Sequence, residues 1–166
     1  MKAIFAIVGA GLISLLSGCA SAPPPSASVA AVGPNPESPR TSSPKGSLEV
    51  FSRFSPRNDD QNEETTDPTW FQHTDYFLCD TQGRVLKHVF NVAGHFEKNP
   101  RLIDLAPGKY VVEAESARNY WVQVPVAIKR GETTRVHLDG TWAPPSYVDK
   151  AQVVTLPDGK AVGWRM

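Results

Sequence analysis

Pro107-Gly108-Lys109-Tyr110-Val111-Val112-Glu113-Ala114-Glu115, followed closely by Trp121-Val122-Gln123-Val124-Pro125-Val126-Ala127-Ile128, is the stretch that decides the fold of this chain. Successive side chains of an extended chain point to opposite faces. Tyr110, Val112 and Ala114 therefore share one face, and Glu113 and Glu115 share the other. Val122, Val124, Val126 and Ile128 repeat the pattern. Pro125 falls on the opposite face and has no N–H to give a ladder, which places it at a sheet edge or a bulge. Arg130-Gly131-Glu132 turns the chain into residues 134–139, where Val136 and Leu138 alternate with Arg135, His137 and Asp139. Ahead of all this, Ala106-Pro107-Gly108-Lys109 has the composition of a type II turn: Pro presets the first central φ and Gly supplies a positive second one.

Upstream the same period continues. Leu48, Val50, Ser52 and Phe54 alternate with Glu49, Phe51 and Arg53, so the folded domain is expected to begin at Ser47. Residues 55–69 hold five acids (Asp59, Asp60, Glu63, Glu64, Asp67) and read as a long exposed loop. A strand over residues 70–79 runs into Asp80-Thr81-Gln82-Gly83, a turn with Asp first and Gly last, and residues 84–91 complete a hairpin. After a loop at residues 95–101 comes a short strand at 102–105. Six or seven short strands without a helical period predict an all-β chain, an antiparallel Ig-like or prealbumin-like β-sandwich over residues 47–141. About 95 residues suffice for one core without disulfides.

The pattern Leu105-x-Pro107-Gly108-x-Tyr110-x-Val112-x-Ala114, with Val124-x-Val126-x-Ile128-x-x-Gly131-x-Thr133-x-x-Val136-x-Leu138 after it, resembles the carboxypeptidase-regulatory-like and transthyretin-like sandwiches. The resemblance covers roughly the second half of the domain. It implies a seven-stranded Ig-like module of the bacterial envelope or surface, and such modules share no catalytic residues to carry over.

Both ends lie outside that module. Residues 142–166 hold Pro144-Pro145, then Val153-Val154-Thr155-Leu156, a Pro157-Asp158-Gly159-Lys160 turn and Ala161-Val162-Gly163-Trp164. This reads as a C-terminal hairpin, either flexible or docked, and Trp142, Tyr147 and Trp164 favour docking. At the other end, Lys2 precedes an apolar run too short to span a bilayer, which marks a secretory signal over residues 1–18. The run ends in Leu16-Ser17-Gly18-Cys19, which resembles the lipobox of bacterial lipoproteins. The resemblance implies cleavage before Cys19 and a diacylglycerol on its sulfur. Ala20 rather than Asp follows, which in a Gram-negative cell implies the outer membrane, facing the periplasm. Residues 19–46 are Pro-, Ser- and Ala-rich and are expected to form a disordered tether, reaching about 80 Å as polyproline II.

Composition excludes more than it assigns. Basic and acidic residues balance at 17 each, and without Lys2 the balance is 16 against 17, a net −1. No nucleic-acid footprint is present. Once Cys19 carries lipid, Cys79 is the second of two cysteines and has no partner for an internal disulfide. Its apolar setting, Tyr76-Phe77-Leu78-Cys79, makes it a buried packing residue, and the protein is expected to be a monomer.

Three histidines recur as His-x-acid: His73-x-Asp75, His95-x-Glu97 and His137-x-Asp139. On a strand each pair shares a face, but zinc needs three or four converging ligands. A solvated face accounts for them better, so no metal is expected. Asn58-x-Asp60-x-Asn62-x-Glu64 offers oxygens at alternating positions, but the glycine a calcium loop needs at its sixth position is here Glu63. No nucleophile motif, phosphate loop or CxxC pair occurs, so no catalytic residue and no cofactor is assigned. Exposed aromatics remain. Phe51 and Trp121 point away from their strands' apolar faces and are candidates for binding a sugar or a peptide. The competing reading is that the tail or the long loop covers such a face. The chain is thus expected to be a non-enzymatic, lipid-anchored envelope module, structural or interacting, with carbohydrate or peptide capture as the alternative.

Overall fold

The alternation seen in the sequence builds an all-β molecule, here a computed structural model that describes residues 29–56, 71–92 and 99–166. Along the described residues the strands are β1 (Gly46–Phe51), β2 (Phe54–Pro56), β3 (Phe71–His73), β4 (Tyr76–Cys79), β5 (Val85–Val89), β6 (Ile103–Leu105), β7 (Gly108–Glu115), β8 (Trp121–Ile128), β9 (Thr133–His137), β10 (Val153–Thr155) and β11 (Ala161–Trp164). Two main sheets form, ordered β6-β1-β9 and β5-β4-β7-β8, which together make seven strands. Leu48, Val50 and Val136 from the first meet Tyr76, Leu78, Val112, Val124 and Val126 from the second in one cluster. Each such side chain contributes about 1.5–3 kcal/mol by leaving water. Pairing is antiparallel throughout the larger sheet, while β1 and β9 run parallel. These two are the outermost strands of the sandwich in sequence, so no hairpin constrains their relative direction.

The turn ahead of β7 differs from its expectation. Gly108 opens β7 and is not among the glycines with positive φ. A Cβ there would meet only the Tyr110 ring, at 3.5 Å or more. The reason is topological. β6 pairs with β1 and β7 pairs with β4 and β8, so residues 105–108 cross between sheets and close no hairpin. The turns at Gly83 (φ 80), Gly131 (φ 67) and Gly159 (φ 82) do use glycine's left-handed freedom. At the first of these, Asp80 Oδ1 accepts from the Gln82 and Arg84 amides at 2.8 and 3.0 Å.

Two strands are shorter than the sequence predicts. Residues 47–54 break at Ser52-Arg53 into β1 and β2, and residues 71–79 break at Thr74-Asp75 into β3 and β4. The short segments beyond the breaks pair with each other, Phe54 opposite His73.

The folded region also starts earlier than Ser47. Val32 is fully buried in the core, and Val29 and Ala30 pack against it. Val32 forms a parallel bridge to Val126 and an antiparallel one to Arg165, and Pro34 bridges Thr134. The chain then runs alongside β9, Asn35 N donating to Thr133 O at 2.8 Å and Thr41 N to Gly131 O at 2.8 Å. Composition misplaced this boundary because one valine among prolines and alanines carries little hydropathy, yet it fills a seat between two strands.

The C-terminal hairpin is docked. Val154, Leu156 and Val162 join the main cluster, and Trp164 is 9% exposed. Tyr147 is the exception at 81% exposed, its hydroxyl donating to Glu37 Oε1 at 3.2 Å. Pro125 sits where a strand without an N–H belongs, on the side of β8 away from β7. Its carbonyl accepts from Val32 N at 2.9 Å.

Candidate functional site

Phe51 and Trp121, the two aromatic candidates, stand on different sheets and have different fates. The parallel register sets Phe51 directly beside His137 and Glu49 beside Arg135. Phe51 stacks on His137 at 4.5 Å and 17° between planes, His137 stacks on Trp142 at 4.8 Å and 10°, and Trp142 meets Trp164 edge-on at 6.1 Å. On the other side, Phe51 meets His73 at 5.6 Å, and His73 stacks on Phe54 at 4.1 Å. The row is continuous across the outer face of the smaller sheet. Beyond its end, Arg135 pairs with Glu49 at 2.8 Å. The tail and β3 therefore cover this face, and Phe51 is half-buried packing, not a free platform.

His137 is consequently not the solvated residue its outward position implies. Burial between Phe51 and Trp142 pushes its pKa from 6.5 down to about 4, Asp139 opposing the shift and Arg135 and His73 adding to it. An unfolded chain takes up this proton near pH 6.5, the folded one only near pH 4. Stability is therefore lost as pH falls through that window and loses nothing more from this group below it. Part of the ring still meets water, so the expected loss is about 2 kcal/mol. His137→Phe keeps the stack and removes the titration. In urea unfolding, the stability difference between wild type and this variant should change by about 2 kcal/mol between pH 7 and pH 4, and a constant difference would refute the assignment.

His73 is buried at 4% exposure, its Nδ1–H donating to the Ser52 carbonyl at 2.6 Å. Its sequence partner Asp75 lies beyond the strand break, where it accepts from Asn91 N at 2.9 Å and sits 3.3 Å from His88 Nε2. The His73–Asp75 pair thus diverges. His95, Glu97 and the 58–64 acidic run lie outside the described residues. Among the described residues, no three His, Cys, Asp or Glu side chains are grouped so as to hold a metal. A cleft of about 20 Å³, lined by Ser116, Arg118, His137 and Asp158 among others, has room for about one water molecule.

Cys79 is 2% exposed, and burial, Glu113 and Asp80 all raise its thiol pKa. The thiolate is scarce and the sulfur out of reach. A maleimide reagent should label Cys79 at least on the order of a hundredfold more slowly in the native protein than in denaturant. Equal rates would mean that β4 does not bury it.

Trp121 belongs to an open surface. It is 50% exposed at the start of β8, and Phe90, which meets His88 on the same face, is 61% exposed. Phe77 on β4 and Trp121 on β8 are separated by the whole of β7, about 10 Å of sheet. Their ring centroids are nevertheless 6.0 Å apart, at 26° between planes, so both lean over β7. Phe77 continues to His88 at 5.0 Å, and His88 to Phe90 at 4.6 Å. In the same cross-strand row as Phe77, Gln123 Nε2 donates to Glu113 Oε2 at 3.2 Å. Period-2 reading identified Trp121, but not its neighbours. Phe77 and His88 become neighbours only through the β4–β5 register, which one sequence does not print. Compared with protein-family models, with curated proteins and with solved structures, the chain matches none.

Proposed function

We propose that the protein is a lipid-anchored module of the cell envelope, without catalytic activity, that engages a partner through the outer face of its four-stranded sheet. The observation that carries this reading is the row Trp121–Phe77–His88–Phe90, left uncovered among the described residues, since exposed contiguous aromatics on a folded domain mark contact surfaces. The anchor rests on Leu16-Ser17-Gly18-Cys19, with acyl chains contributing about 0.8 kcal/mol per buried methylene. Ala20 after the cysteine favours the outer membrane, facing the periplasm, in a Gram-negative cell. Seven strands in two facing sheets support kinship with the carboxypeptidase-regulatory-like modules.

A second reading, a glycan ligand, is favoured by the exposed Glu113–Gln123 pair beside the rings. Aromatic faces meet the C–H faces of pyranose units, and a carboxylate and an amide meet their hydroxyls. Two measurements separate the parts of the proposal. Cys19→Ser should abolish labelling by radioactive palmitate and leave the precursor uncleaved, and a labelled, membrane-bound variant would overturn the anchor. Co-sedimentation with isolated cell-wall glycan that is lost in Trp121→Ala supports the glycan reading. No sedimentation, or sedimentation unaffected by the substitution, rejects it and leaves a protein partner for this face.

A further inference from the structure

β8 and β11 belong to different sheets, and residues 31–33 are what joins them. On one side Val32 N donates to Pro125 O at 2.9 Å and Ala127 N to Val32 O at 2.8 Å. On the other, Gly33 N donates to Trp164 O at 2.7 Å and Met166 N to Ala31 O at 3.3 Å. The segment is thus an added strand, parallel to β8 and antiparallel to β11. Its one large side chain enters the core, where Val32 is fully buried. The seat is shaped to this sequence. A Cβ on Gly163 would lie 2.6 Å from Val32 Cγ1 and 2.8 Å from the Arg135 carbonyl, so the hairpin is bare where the valine enters. A Cβ on Gly33 would come within 2.9 Å of the Met166 Cα, so the next position admits no side chain.

Main-chain bonds on both sides with one side chain in a pocket is how sheets recognise extended peptides. We propose that the seam between β8 and β11 is a strand-binding site for an extended Ala-Val-Gly segment, with residues 31–33 as its resident occupant, exchangeable for the same segment supplied in trans. The site is independent of the aromatic face and does not rest on lipid anchoring. An occupied seam ties the C-terminal hairpin to the larger sheet, and an emptied one exposes two strand edges.

The test uses the detergent-solubilised full chain and a fluorescent synthetic peptide of residues 29–38. In Val32→Asp, the amides of β10 and β11 should exchange with deuterium at least tenfold faster, while those of β4 and β7 stay within twofold of wild type. The peptide should bind this variant and slow its exchange again. It should not bind wild type, whose seat is filled, and a peptide carrying Val32→Asp should bind neither. Wild-type exchange in the variant hairpin, or a peptide that binds both proteins equally or neither, overturns the proposal. If Val32→Asp loses protection in β4 and β7 as well, Gly33→Ala decides. Crowding against Met166 should then release the Met166 amide from Ala31 and admit the peptide, and a Gly33→Ala protein that does not bind it overturns the proposal.

Discussion

Gly131→Val lowers the unfolding free energy by about 4 kcal/mol, whereas Gly108→Val leaves it within about 0.5 kcal/mol. Gly131 sits at φ 67, where a β-branched residue is strained by about 1–3 kcal/mol. A Cβ there would land on the carbonyl oxygen of Thr41. That carbonyl cannot simply step aside, because Thr41 N donates to Gly131 O at 2.8 Å and Gly131 N donates to Lys45 O at 2.8 Å. Relieving the clash gives up both bonds, at about 1 kcal/mol each. Arg40 would lose its place 3.0 Å from Glu132 as well, with little effect because that arginine is mostly exposed. Gly108 has ordinary strand backbone, and a Cβ there would make ordinary van der Waals contact with the Tyr110 ring at 3.5 Å or more. Denaturant melts of the two variants beside wild type are the measurement, and equal losses would show that the turn at residues 130–132 is not as described.

Asn91→Leu is expected to cost about 3 kcal/mol, although it exchanges a polar core residue for an apolar one of similar size. Asn91 is 1% exposed. Its Nδ2 donates to Val50 O at 2.7 Å and to Ser52 Oγ at 3.0 Å, and its Oδ1 accepts from Arg101 N at 3.1 Å. Its own N–H is taken by Asp75 Oδ1 at 2.9 Å. One residue thus joins β1, the entry to β4, the exit from β5 and the approach to β6. Leucine strands the buried Val50 carbonyl and the part-buried Arg101 N–H, an unpaired buried group costing about 1–3 kcal/mol. Thermal unfolding of the variant measures it. A stability equal to wild type would mean that water reaches these groups.

Faces were legible in the sequence, while neighbours were not. Period-2 alternation placed Leu48, Val50, Val112, Val124, Val126, Val136 and Leu138 inward, and all are buried. Turn residues likewise marked the glycine turns at residues 83, 131 and 159, whose φ values are positive. Both signals failed where the answer depends on which strand pairs with which. Gly108 reads as a hairpin glycine only if the strands on either side of it are partners, and β6 and β7 are not. His137 reads as solvated only if nothing comes back to cover β9, and Trp142 does. Val32 was lost among prolines because burial there is set by a gap left between β8 and β11. The open row around Trp121 has the same origin, since its rings come from β4, β5 and β8. Asn91 carried no signal at all, being one polar residue at the end of a strand.

The strand between β8 and β11 also sets how the molecule carries load. In an anchored protein, tension between the membrane and anything held on the outer face enters through the residues before Val29. The chain's first main-chain bond to the fold is at Ala31, which accepts from Met166 N, and the next are those of Val32 to Pro125 and Ala127 on β8. Trp121 begins that same strand. The line of force therefore runs from anchor to β8 to the contact face and bypasses most of the sandwich. Because residues 31–33 run parallel to β8, the pulled end of the segment and Trp121 lie at the same end of the strand pair. A pull from the amino terminus therefore loads the bond from Val32 N to Pro125 O before the one from Ala127 N to Val32 O and opens the seam one bond at a time.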